Sequence, residues 1–124
     1  MNNKLRFDVV YFKEEDTCFE YLRFFECGNV ISASSTADPS SQLDRLLSWF
    51  NENYEYSVGE YIVKGNEVDF IIHVHEYSPS KKLIGDIEYK CFIQNDGTIL
   101  AKIHSYINGY RSEGIFYPKP IQLP

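Results

Sequence analysis

The sequence lacks any long hydrophobic run. No segment of its 124 residues approaches the apolar length that spans a bilayer, and the N-terminal MNNKLRFDVV has no basic flank leading into an apolar run of signal-peptide length. Cysteine is also scarce. The three thiols, Cys18, Cys27 and Cys91, cannot all pair with one another, and their spacing matches no zinc-ribbon or redox C-x-x-C pattern. These absences predict a soluble, cytoplasmic protein with no membrane partner.

Basic residues are few. Lysine and arginine total 12 against 18 aspartates and glutamates, which gives a net charge of −6 and a pI near 5.0. A nucleic-acid partner is not expected, because neutralising phosphates takes clustered basic side chains. An acidic surface attracts basic proteins, although it also serves solubility alone.

Motifs of common catalytic sites are missing as well. The sequence contains no Gly-rich phosphate loop, no G-x-S-x-G and no H-E-x-x-H. The serine-rich SASSTADPSS precedes a helical pattern and is typical of a capping loop. Asp86 and Glu88 alternate with apolar residues in LIGDIEYKCFI and are expected on the solvent face of a strand. We therefore predict no catalytic residue, no cofactor and no enzymatic activity.

Aromatic residues, in contrast, make up 16% of the chain, a bias that favours strands. In LRFDVVYFK, Leu5, Phe7, Val9 and Tyr11 alternate with polar neighbours, which indicates a half-buried strand. CFEYLRFFE and VISASS continue a meander of three strands. Five more strands are predicted beyond residue 56, joined by the turns KGN, SPSKK, NDG and NG. Three prolines in YPKPIQLP predict that this tail cannot continue in the ladder as an interior strand.

One segment changes to a helical period. In TADPSSQLDRLLSWFNEN, Pro39 suits a first helical position, and Thr36 or Asp38 is placed to cap the helix. The spacing predicts an amphipathic helix over about residues 39–51. Its apolar stripe consists of Leu43, Leu46, Leu47 and Phe50.

The pattern therefore predicts one mainly β domain over residues 1–124. About eight antiparallel strands run up and down, with the helix after the third, and close or nearly close into a barrel. An open, strongly bent sheet wrapped on the helix is the alternative. The hairpin order, from EYLRFFECGNVISASS through GEYIVKGNEVDF to INGYRSEGIFY, resembles the small lipocalin-like and fatty-acid-binding-like barrels called calycins. That resemblance implies a carrier or sensor with a small apolar ligand inside the barrel. The candidate ligand-binding residues are Phe7, Tyr11, Phe24 and Phe70, which would otherwise simply fill the interior.

Two histidines stand one residue apart in FIIHVHEYS. On a strand, Phe70, Ile72 and Val74 share the core face, so His73 and His75 lie together on the outer face. Two such imidazoles can reach one zinc or copper ion, but a catalytic site needs a third ligand. The remaining histidine, His104, is expected to point outward beside Lys102. We interpret His73 and His75 as sheet surface, and a metal-dependent enzyme using them as a third hypothesis.

The leading hypothesis is protein binding. NENYEYSVGEY, residues 51–61, interleaves carboxylates with tyrosines, a composition suited to docking on a basic protein. Small size and acidity are similar to the general profile of bacterial toxin-immunity proteins, which implies an inhibitor that covers the active site of a basic, nuclease-type toxin. The same residues would otherwise cover and solvate one end of the barrel. The candidate partner-binding residues are Glu52, Tyr54, Glu55, Tyr56 and Glu60, with Glu14, Glu15 and Asp16 extending the acidic face.

Overall fold

Eight antiparallel strands pair in sequence order and close into a barrel when the last strand pairs with the first. The computed structural model describes residues 4–78 and 81–121, with residues 76–78 and 81–83 described by their backbone alone. The predicted fold is confirmed: the protein is mainly β, and one short helix follows the third strand. The strands are β1 Val9–Glu14, β2 Phe19–Phe24, β3 Asn29–Ser35, β4 Ser57–Lys64, β5 Glu67–Ser78, β6 Lys81–Ile93, β7 Ile99–Ser105 and β8 Arg111–Pro120, and the helix is α1 Leu43–Leu47.

Tight turns set the register of the barrel. Lys64 pairs with Glu67, so Gly65 and Asn66 form a two-residue hairpin loop, and Gly65 takes a φ of 62°. Glycine suits this position because it adopts positive φ without steric cost. The KGN turn is therefore confirmed, as are the NDG turn before β7 and the NG turn before β8. The predicted SPSKK turn includes residues 79 and 80, which lie outside the described residues.

Alternating side chains fill the barrel interior. In β5, Phe70, Ile72 and Val74 are buried, whereas Ile71, His73 and His75 are exposed, as the sequence predicts. Aromatic rings from β1, β2, β5 and β6 contact one another in this interior. The buried interior cluster comprises Leu5, Val9, Tyr11, Leu22, Phe24, Val30, Val68, Phe70, Ile72, Val74, Tyr89, Cys91, Ile93, Ile99, Ala101 and Phe116.

A second buried cluster lies outside the barrel, between α1 and the outer faces of β1 to β3. Leu46 and Phe50 are fully buried against Val10, Tyr21 and Ile31. The predicted apolar stripe is thus confirmed, because Leu43 and Leu47 also pack, half-buried, against this cluster.

The helix is shorter than the predicted range of about 39–51, because turns flank Leu43–Leu47 on both sides. The carboxylate of Asp38 accepts the Ser40 N–H at 2.7 Å, and the Ser48 hydroxyl donates to the Arg45 carbonyl at 2.6 Å. Such local bonds compete with the helical ladder. The bond from the Ser40 N–H to Asp38 is the predicted capping bond, but it lies in the turn before α1. Gln42 occupies the N-cap position of α1 itself and makes no side-chain capping bond.

The prediction that the proline-rich tail cannot continue as an interior strand is confirmed over Tyr117 to Pro120, because this part of β8 pairs on one side only. β8 pairs with β7 only as far as Phe116, and Tyr117 to Pro120 pair with β1. The Ile121 N–H donates to the Asp8 carbonyl at 2.8 Å. Because backbone N–H groups alternate along a strand, the nitrogens of Pro118 and Pro120 point away from β1. They face the side where β7 no longer pairs, so the two prolines remove no ladder hydrogen bond.

Membrane-spanning helices were sought in the same structure. Among the described residues, no helix has the length and apolar character needed to cross a membrane.

Candidate functional site

A groove of about 720 Å³ runs over the outer faces of β3 to β6. We call it the outer groove. Most of its lining side chains belong to the outward-facing set of each strand, opposite the interior cluster. The outward lining residues are Asn29 on β3, Val58, Glu60 and Ile62 on β4, Asp69, Ile71, His73 and His75 on β5, and Glu88 and Lys90 on β6, and Glu55 joins them from the connection before β4.

Two exposed isoleucines form the apolar part of the groove. Ile62 is 64% exposed and Ile71 is 41% exposed, because strand alternation turns both side chains to the outer face. Ile62 pairs directly with Asp69, which places Ile62 and Ile71 diagonally across the β4–β5 ladder. Diagonal neighbours of this kind lie roughly 7–8 Å apart, within reach of one ligand chain.

Carboxylates surround the two isoleucines. Ile71 lies between Glu60 on β4 and Glu88 on β6, and Ile62 lies opposite Asp69. With Glu55, the groove holds four carboxylates against the single ammonium of Lys90. None of the four carboxylates forms an ion pair with a basic side chain in the part of the chain that the structure describes. The groove is therefore a negatively charged surface with an apolar centre.

The two histidines stand at one side of the outer groove. His73 Nδ1 lies 2.8 Å from Asp86 Oδ1 on β6, where the two residues are direct cross-strand partners. The His75 N–H donates to the Tyr56 carbonyl at 2.7 Å, and the His75 side chain is exposed. His104 lies on β7, half-buried, with its ring centroid 4.2 Å from that of Tyr106.

A metal cluster would need three ligands close together. Within residues 4–78 and 81–121, no group of three or more histidines, cysteines or carboxylates is placed to hold an ion. The structure thus leaves His73 and His75 as outward sheet residues, and β6 separates their strand from that of His104.

The predicted partner-binding residues of the segment before β4 lie on or beside the groove. Glu55 and Glu60 line it, and Tyr56 is 54% exposed next to His75. Tyr54 is half-buried and packs against Phe50, with ring centroids 5.5 Å apart. Glu52 and Tyr54 line an adjoining depression of about 300 Å³, which shares Asn29 and Val58 with the groove.

The other predicted acidic residues lie elsewhere. Glu14 is the last residue of β1, Glu15 and Asp16 follow it in the β1–β2 turn, and none of the three is among the residues that line the outer groove. Glu15 is engaged locally, because its carboxylate lies 2.8 Å from the Lys13 ammonium.

Three of the four predicted ligand-binding residues belong to the packed interior. The ring centroids of Tyr11 and Phe24 are 5.7 Å apart, and those of Phe24 and Phe70 are 5.5 Å apart. These rings pack against one another instead of facing an open space between them. Phe7 precedes β1 and is 37% exposed, with its ring 6.5 Å from that of Tyr61.

Sequence reasoning missed the apolar centre of the groove. The outward position of Ile71 follows from its alternation with Phe70 and Ile72. The KGN turn supplies the rest of the information. Because it is a two-residue loop, it fixes the β4–β5 register and therefore which β4 residues face outward beside Ile71.

Searches with the sequence and the structure found no matching protein-family model, curated protein or solved structure.

Proposed function

We propose that this protein is a non-catalytic binding protein that holds a basic, extended segment of a partner protein in the outer groove. The observation that carries the proposal is the pair of exposed isoleucines, Ile62 and Ile71, bordered on neighbouring strands by Glu60, Asp69 and Glu88. Exposed apolar side chains within a charged rim are typical of protein-interaction surfaces.

The spacing of the groove favours an extended occupant. In an extended chain, side chains at positions i and i+2 point the same way and lie about 6.5–7 Å apart. That separation is close to the diagonal distance expected between Ile62 and Ile71. Apolar residues at alternate positions of the partner would contact the isoleucines, and the intervening lysines or arginines would reach the surrounding carboxylates.

An inhibitor of the toxin-immunity type accounts best for this chemistry. A nuclease-type toxin needs a cationic active site to hold phosphate, and an acidic surface is complementary to that site. The net charge of −6 adds long-range attraction between the two proteins. We infer that the groove covers the active site of such a toxin without any chemical step. The acidic β1–β2 turn is not part of this surface in the proposal.

The proposal is tested by titrating the protein with a nine-residue peptide of alternating lysine and valine, capped at both ends. The comparison peptide carries glutamate in place of every lysine. The groove variant Glu55→Gln/Glu60→Gln is matched by Glu14→Gln/Asp16→Asn, which changes the net charge by the same amount at the β1–β2 turn.

We expect the lysine peptide to bind and the glutamate peptide not to bind. The groove variant should weaken binding by roughly three- to tenfold, since surface ion pairs contribute about 0.2–1 kcal/mol each. The turn variant should leave the affinity almost unchanged. Equal losses in both variants would mean that the peptide responds only to net charge, and would contradict the proposed site.

A further inference from the structure

A separate depression of about 300 Å³ opens at the barrel end where β1 finishes and β2 begins. We call it the mouth pocket. Its lining includes inward-facing side chains near this end of several strands, and Ile107 from the β7–β8 connection. The residues that matter below are Glu20 on β2, Ser32 on β3, Ser57 on β4, Ile87 and Tyr89 on β6, and Phe116 on β8. The volume is at the small end of the range found for ligand sites.

One side of the mouth pocket is apolar and well supported. Phe116 and Val74 are buried, and Ile87 and Ile107 are half-buried against the interior cluster. Ile107 is held close to β6, because a Cβ atom at Gly85 would lie 2.5 Å from Ile107 Cγ1. The absence of a side chain at residue 85 thus lets Ile107 cover this end of the barrel.

The other side carries buried polar groups. Ser32 and Ser57 are both buried, although serine usually lies at the surface. Tyr89 reaches the same space, and burial raises the pKa of its phenol, which keeps the hydroxyl protonated. The pocket therefore presents several neutral hydroxyl groups beside an apolar wall.

Glu20 gives the mouth pocket its charge. It is the only charged side chain among the described residues that line the pocket. The Lys13 ammonium lies 3.5 Å from Glu20 but 2.8 Å from Glu15, so its closer ion pair is with Glu15. The two carboxylates share the one ammonium of Lys13, so the three side chains together carry a net charge of −1. The Lys13 ammonium also lies 5.8 Å from the ring centroid of Phe116, at the edge of the mouth pocket.

We propose that the mouth pocket binds a small primary amine with an apolar body. The ammonium donates hydrogen bonds to the Glu20 carboxylate and to the hydroxyls of Ser32 and Ser57. The apolar body packs against Ile87, Ile107 and Phe116. An anionic ligand is disfavoured, because its charge would face Glu20 across a partly buried space. This site is distinct from the outer groove and does not depend on the proposed protein partner.

The pocket volume of about 300 Å³ equals that of about ten water molecules at ~30 Å³ each, and the ligand must be no larger than this. Phenethylamine fits this limit and serves as the probe. Two near-isosteres serve as controls: 2-phenylethanol, which is neutral, and phenylacetate, which is anionic. Binding is followed by amide chemical-shift changes in NMR titrations of the full chain.

We expect phenethylamine to shift the amides of Ser57, Tyr89 and Ile107, and to bind about tenfold or more tightly than 2-phenylethanol, since a hydrogen bond to a charged group contributes about 1.5–3 kcal/mol. Glu20→Gln should remove this preference, whereas Glu14→Gln, at an exposed position of the same barrel end, should retain it. Equal affinity for the three probes, or a preference that survives Glu20→Gln, would overturn the proposal.

A second variant separates loss of the site from loss of the fold. Ser57→Ala removes one hydroxyl with little other change in side-chain volume, and its thermal midpoint and amide spectrum report whether the barrel is intact. A folded Ser57→Ala protein should bind phenethylamine more weakly than the wild type. Chemical-shift changes centred on Ile62 and Ile71 instead would place the amine in the outer groove and contradict the mouth site.

Discussion

Glu60 lies directly opposite Ile71 across the β4–β5 ladder, so an exposed isoleucine and a carboxylate share one edge of the outer groove. This pairing gives the surface an exposed apolar side chain and a negative charge side by side.

Replacing Ile71 with serine should weaken binding of the lysine–valine peptide, because the apolar contact is lost, and should change stability by no more than about 1 kcal/mol at an exposed strand position. The matched control is Ile115→Ser, since Ile115 is 38% exposed on the outer face of β8. Isothermal titration and urea unfolding provide the two readouts. Similar peptide affinity in the two variants would argue against an apolar contact at Ile71.

Binding of the lysine–valine peptide should weaken as salt rises, because exposed charges separated by water are screened. The loss should be partial, since the contacts with Ile62 and Ile71 are apolar and do not depend on ionic strength. Titrations at 50 mM and 500 mM salt would measure this loss of affinity. Between these two concentrations the Debye length falls from roughly 14 Å to roughly 4 Å. An affinity independent of salt would contradict the role of the carboxylates.

Gly59→Ala should destabilise the barrel by about 1–3 kcal/mol or more, as overpacking does elsewhere. A Cβ atom at this position would lie 2.1 Å from the Ile71 carbonyl oxygen, and backbone cannot move away without disturbing the β4–β5 ladder. Gly114→Ala is the comparison, because its Cβ would meet the flexible side chain of Lys13 at 2.7 Å. Urea unfolding should show the larger loss for Gly59→Ala, and the reverse order would be inconsistent with this packing.

Tyr21→Phe should lower stability near neutral pH by about 1 kcal/mol, because the buried hydroxyl donates to the Ala37 carbonyl beside α1. Burial, with a smaller effect from Asp38, raises the pKa of Tyr21 to about 12. The folded state thus favours the protonated phenol. That contribution is fully present below the ordinary value near 10 and is lost as pH rises from about 10 to about 12.

The stability advantage of wild type over Tyr21→Phe should therefore vanish and then reverse between pH 9 and pH 12, because the raised pKa is worth more than the ~1 kcal/mol of the hydrogen bond. Tyr56→Phe is the control at an exposed tyrosine, and near neutral pH it should change stability little. A constant gap for Tyr21→Phe across this range would show that the phenol does not titrate with folding.

Much of the fold follows from local patterns. The alternation in β5 predicts its buried and exposed faces correctly, and the KGN turn predicts the β4–β5 hairpin. The stripe through Leu46 and Phe50 predicts how the helix packs. These features depend on neighbours in sequence, so composition and spacing are sufficient to find them.

Other features depend on distant neighbours. The prolines of β8 predict that the tail is not an interior strand, but its pairing with β1 depends on barrel closure, which no local pattern reveals. Phe7 shares the period of Val9 and Tyr11, yet the chain bends before Val9 and leaves Phe7 partly exposed. The outer groove can be recognised only when the register of four strands is known. The sequence therefore identifies its acidic residues Glu55 and Glu60 but not the surface that they border.

Native mass spectrometry of the protein captured gently from the cells that make it tests the central claim most directly, with wild type and Ile71→Lys compared side by side. The account predicts a one-to-one complex of the wild type with a basic protein, and loss of that complex when a cation is placed in the outer groove. A wild-type protein that carries no protein partner, or a complex that survives Ile71→Lys unchanged, would contradict it.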